Sequence, residues 1–70
     1  MDAKEIGKKL AELRGEKSQR EVAAQLGIST SALSMYENGE RIPRDSIKIR
    51  ISAYYGKPVH VIFFSECAHE

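Results

Sequence analysis

The 70-residue chain has a single cysteine, Cys67. One thiol cannot staple its own chain, so an internal disulfide framework is excluded and a reducing, cytosolic setting is expected. Cys67 reads as an inert tail residue, the alternatives being a redox sensor or an intermolecular bridge. No apolar run approaches the roughly 20 residues needed to cross a bilayer. The N-terminal MDAKEIGKK does not have the pattern of a secretory leader, so no membrane partner is expected. There is no low-complexity tract and no internal repeat. Neither charge sign dominates: 11 Lys and Arg face 10 Asp and Glu, a formal net charge of +1. All 11 basic residues lie within positions 1–58, whereas Glu66 and Glu70 fall in the tail, which leaves 8 acidic residues in 1–58 and a mild local basic excess. Catalytic patterns are missing too. No P-loop, glycine-rich phosphate cradle or Ser/His/Asp set is present. His60 and His69 have no second ligand at metal spacing. The serines fall at caps and turns. Neither an enzyme nor a metal or cofactor site is expected.

The residues present spell out helices. A chain this short makes one domain, expected over residues 1–64, with 65–70 as a frayed tail. Its core is small, so a compact helical fold or dimerisation would help it stay folded. Ile6, Leu10 and Leu13 share one face of a first helix over Asp2–Arg14, which Gly15 stops. Asn38-Gly39 is a turn and helix-stop signal. A loop through Pro43 leads to a fourth helix over Arg44–Tyr55, with Pro43 suited to its first turn. Its IKIRIS segment alternates with period two, as a strand would. Helix is preferred because Gly56 stops it and its neighbours are helical; Ile47, Ile51, Tyr54 and Tyr55 form its buried stripe. Pro58 starts a short fifth helix with Val59, Ile62 and Phe63 as core. The expected fold class is all-α, a five-helix bundle without a sheet.

Between the first and fourth helices, Ser18 to Gly39 reads SQREVAAQLGISTSALSMYENG. This spacing suits a helix-turn-helix, a device for entering the DNA major groove. Ser18 and Glu21 make a capping box that opens a helix over Gln19–Leu26. Ala23 is small where a second helix must cross closely. Gly27 ends that helix at a turn needing positive φ. Ser29 caps the next helix, Thr30–Glu37. Val22, Leu26, Leu33 and Tyr36 supply the apolar positions that lock the pair together.

With these motifs the chain resembles the Cro/C1-type helix-turn-helix family of phage repressors and small bacterial regulators. The resemblance covers about residues 4–64. Its most specific parts are SQREVAAQLGIS, the MYENGER after the third helix, and the C-terminal helix pair ending in VIFF. It implies a lambda-repressor-like DNA-binding domain with the helix-turn-helix at its second and third helices, similar to the short stand-alone members of the family. One departure stands out. Only Gly15, Glu16 and Lys17 separate Arg14 from Ser18, about two residues fewer than is usual in the family, so some tilt of the first helix is expected. The resemblance also implies an ion pair between Arg14 and Glu37 at the edge of the core, which the short join sets in question.

Binding duplex DNA needs phosphate anchors and base readers, which are different tasks. Gln19 opens the second helix, where its amide and the free backbone N–H groups can meet a phosphate; the resemblance gives it that role. Asn38, Arg41 and Arg44 follow the recognition helix where the second phosphate strand would pass. Arg20 and Lys17 are further candidates, Arg14 lies near a phosphate, and Ser29 at the head of the third helix completes the anchor set. The expected readers are Thr30, Ser31 and Ser34, which project away from the Leu33/Tyr36 face, and Met35, which borders the core. This set contains no Arg, Gln or Asn, the side chains that make bidentate base contacts. Hydroxyls and methyls discriminate less.

The leading expectation is a sequence-specific transcriptional regulator, a repressor that binds a palindromic operator as a homodimer. One small module buries too little DNA for tight specific binding, and paired half-sites multiply specificity. The dimer surface is placed on the fifth helix and the loop before it, with Val61, Ile62 and Phe64 as an exposed apolar patch. The alternative is that VIFF only completes the monomer core. A second functional expectation is a protein-binding adaptor or antitoxin on the same fold, which the weak reader chemistry and modest charge allow.

Overall fold

In the computed structural model, which describes residues 2–64, local capping explains where each helix begins and ends. Helix α1 spans Ala3–Arg14, with Asp2 as its N-cap accepting the Lys4 N–H at 3.0 Å. Helix α2 spans Gln19–Leu26; Ser18 Oγ accepts the Glu21 N–H at 3.0 Å. Helix α3 spans Thr30–Glu37; Ser29 Oγ accepts the Ala32 N–H at 3.0 Å. Helix α4 spans Asp45–Tyr55 and α5 spans Val59–Phe63. No strand occurs among the described residues. The expected all-α fold of five helices is therefore observed there. The expected tail over 65–70, with Cys67 and His69, lies outside the described residues.

The α2–α3 turn follows from Gly27, whose φ of 73° and ψ of 30° are left-handed. Its N–H bonds the Ala23 and Ala24 carbonyls, closing α2 and aiming the chain into α3. Val22, Ala23, Leu26, Leu33 and Tyr36 are all buried in the joint between the two helices. Ile6 and Leu10 of α1, Ile51 of α4, and Ile62 and Phe63 of α5 complete the core.

Helix α1 lies across the end of α3 at backbone contact. A methyl group on Gly7 would meet the Glu37 carbonyl oxygen and would stand 2.6 Å from that of Tyr36. Only glycine permits that approach. An isolated glycine inside a helical pattern is the one sequence signal for such a crossing.

Three expectations about packing are corrected. Pro43 is buried but precedes the N-cap, Arg44, and so is not in the first turn of α4. The stripe on α4 is wider than its apolar residues. Lys48 is buried, with Nζ 5.6 Å from the Phe63 ring centre, 5.2 Å from that of Phe64 and 3.7 Å from Asp45 Oδ1, while Ile49 faces solvent. The aliphatic stem of a lysine covers apolar surface while its ammonium rests on aromatic faces, which a binary pattern does not foresee. Finally, Ile62 is only 2% exposed and belongs to the core, not to a surface patch. Val61 and Phe64 are 42% and 38% exposed.

Candidate nucleic-acid interface

The first turn of α3 leaves Thr30 and Ser31 exposed, because Ala32 and Leu33 take the inward positions. Ser34 and Met35 are half-buried. The Ser34 hydroxyl accepts the Asn38 Nδ2–H at 3.3 Å, so part of its hydrogen-bonding capacity is used within the protein. Of the four expected readers, Thr30 and Ser31 are the most open. Their hydroxyls project from the N-terminal turn of a helix fixed from behind by Leu33 and Tyr36, the part of a recognition helix that meets base edges. Ser29 is exposed, but its Oγ is engaged in capping α3.

The expected anchors fall into two groups. Gln19, Arg14 and Lys17 converge on the carboxylate of Glu37 or its immediate surroundings. Arg14 donates from Nε to Glu37 Oε2 at 2.7 Å and from Nη2 to Oε1 at 2.9 Å. Its Nη1 donates to the Lys17 carbonyl at 2.6 Å. The short α1–α2 join therefore does not prevent the Arg14–Glu37 pair. Arg14 reaches across the join and fastens it. The hydrogen bond to Glu37, opposed by a burial cost, holds the guanidinium protonated above its ordinary value. Three of its five N–H donors are used in these bonds, which leaves two outside them. Gln19 Nε2 donates to Glu37 Oε1 at 2.9 Å. Lys17 Nζ donates to the Tyr54 hydroxyl at 3.3 Å and lies 5.3 Å from that ring's centre. Arg20 is exposed on α2.

Tyr55 adjoins this cluster. Its ring meets Tyr54 edge-on at 5.0 Å. Its buried hydroxyl has no hydrogen-bond partner. Burial, with the negative charge of Glu37 second, pushes its pKa up to about 12.

The second group follows α3. Asn38 is exposed at the α3 C-cap. Arg41 and Arg44 line an open cleft of about 490 Å³ together with Tyr36, Ile42, Ile47 and Arg50. Arg50 was not among the expected anchors. Its Nη1 donates to the Leu26 carbonyl at 3.2 Å, so it closes the C-terminus of α2 and ties α4 to the helix-turn-helix. No local pattern in the α4 sequence marks that contact, because its partner lies 24 residues away.

Among the described residues no group of three or more His, Cys, Asp or Glu is placed to hold a metal ion, and no helix is long and apolar enough to cross a membrane. Comparisons with curated proteins and with solved structures returned no match. A family model described as helix-turn-helix matches residues 8–62, a span that takes in α2, α3 and the expected anchors on both sides of them. The capped helix pair, its left-handed glycine turn and that match agree: the chain belongs to the Cro/C1-type helix-turn-helix family of DNA-binding regulators.

Proposed function

We propose that the chain is a sequence-specific transcriptional repressor that occupies a palindromic operator as a homodimer in the cytoplasm. The observation that carries this reading is the exposure of Thr30 and Ser31 on the first turn of α3, between cationic or amide groups at Gln19 and at Arg41 and Arg44. Readers flanked by anchors suit a helix laid in the major groove with phosphates on either side. Arg20 and Asn38 add exposed donors to the same set. Dimerisation is supported by the exposure of Val61 and Phe64, and Val61 also lines an open cleft of about 340 Å³ between α1 and α5 together with Lys9 and Leu13.

The test is selection of bound duplexes from a random DNA pool. A palindromic consensus with half-sites about one helical turn apart (roughly 34–36 Å) supports the dimeric regulator. A single ungapped half-site supports DNA reading but not the dimer. A pool with no enrichment overturns the proposal. It would favour a protein-binding adaptor or antitoxin that uses the exposed Val61 and Phe64 for its partner.

A further inference from the structure

Glu37 ends α3, and donors from two other helices close on its carboxylate: Nε and Nη2 of Arg14 from α1, and Nε2 of Gln19 from α2. Its side chain is only 4% exposed. An ionised carboxylate accepts and cannot donate, so Gln19 can face it only with its amide nitrogen. A glutamine amide without such a partner can turn its oxygen or its nitrogen to the same place. Toward a phosphate the two are opposite in effect, since the nitrogen donates and the oxygen repels. The bond that Gln19 donates to Glu37 therefore decides which way round the first side chain of α2 is held. One of the two Nε2 protons is committed to Glu37, and the second is left on the same fixed nitrogen. The negative charge of Glu37 is balanced on its other side by Arg14, so a phosphate approaching Gln19 meets a neutralised carboxylate.

We propose that Glu37 is a positioning residue for DNA binding: it orients the Gln19 amide so that Nε2 bridges the Glu37 carboxylate and a backbone phosphate. The inference rests on the DNA-binding reading above and adds to it a residue that never touches DNA.

A double-mutant cycle on positions 19 and 37 tests it, using a duplex enriched from the random pool and the full chain. Glu37→Gln removes a negative charge, which by itself alters affinity for any DNA, but that contribution cancels in the cycle. In the parent, Gln19→Ala should weaken binding about tenfold; in the Glu37→Gln background the same change should weaken it by about twofold or less. Thermal unfolding of all four proteins identifies any loss that follows from stability alone. A second measurement uses the free parent chain. One Gln19 side-chain amide proton should be shifted and slow to exchange by NMR, and that protection should fall in Glu37→Gln, whose amide can present either a donor or an acceptor. Binding with additive effects in the cycle overturns the positioning role and leaves the DNA reading standing. Solvent-like Gln19 protons in the parent overturn it as well. A chain that enriches no duplex overturns the DNA reading, and this inference falls with it.

Discussion

Thr30 and Ser31 carry short hydroxyl side chains on the exposed first turn of α3, the proposed reader surface, and neither contributes to the core. Replacing either with alanine should leave the thermal midpoint unchanged. Each should cost about 1–3 kcal/mol on the selected duplex and much less on random DNA, measured by titration at fixed salt. Ser29→Ala should behave in the opposite way, losing about 1 kcal/mol of stability with its cap and having no selective effect on the operator. Equal binding by the Thr30 and Ser31 variants would remove α3 from the reader role. Tyr55 gives a pH test. Its ordinary pKa of 10.0 is raised to about 12 in the fold, so between these values the native chain holds a proton that the unfolded chain has released. Stability must then fall as pH rises from about 10 toward 12. Tyr55→Phe should remove that part of the alkaline loss and cost little at neutral pH, since the hydroxyl has no partner to lose. Parallel alkaline unfolding curves for the parent and Tyr55→Phe would contradict this.

At the scale of elements, the helix boundaries were legible because caps are local. Ser18, Gly27 and Ser29 act on groups within four residues of themselves, and α2 and α3 begin and end where those residues require. The joint between α2 and α3 was legible for the same reason, its apolar positions lying on two adjacent helices. Of what depends on distant partners, the Arg14–Glu37 pair was expected only through the family resemblance, and the rest was not legible. Gly7 owes its identity to the carbonyls of Tyr36 and Glu37, and Arg50 to that of Leu26. Lys48 is buried because α5 brings Phe63 and Phe64 over it. Ile62 could not be assigned between core and surface until the angle of α5 was fixed. The candidate site was legible as a list of exposed positions, but the link from Gln19 to Glu37 was not, since nothing in either segment names the other. Gly7→Ala tests the closest of these crossings. A methyl there meets backbone that cannot turn aside, so α1 must move off α3. The variant should unfold several degrees below the parent, roughly the effect of 1–3 kcal/mol in a domain of this size. An unchanged midpoint would mean that α1 shifts freely.

For the whole molecule, the proposed dimer makes a direct demand on Val61 and Phe64. Sedimentation of the parent should show a concentration-dependent dimer. Val61→Asp should remain monomeric at the same concentrations, with its helix content intact, because Val61 is partly exposed and outside the core. A parent that stays monomeric at millimolar concentration, with and without DNA, would count against the dimer. The last helix also bears on the order in which the chain assembles. The side-chain bonds that tie α1 and α2 to Glu37 of α3 join residues 18 or 23 apart in the chain, whereas the bond from Lys9 Nζ to the Val61 carbonyl, at 3.1 Å, spans 52. Closing a longer loop costs more entropy before any contact rewards it, so the short loops should form the nucleus and α5, even if already paired with its neighbour α4, should dock on α1 afterwards. Phe63→Leu is then expected to speed unfolding while leaving the refolding rate nearly unchanged; a slowed refolding arm would place α5 in the nucleus. If α5 docks last, the surface that carries Val61 and Phe64 comes into being only once the monomer is complete. Pairing would then follow folding in time, and a nascent chain could not recruit its partner to help it fold.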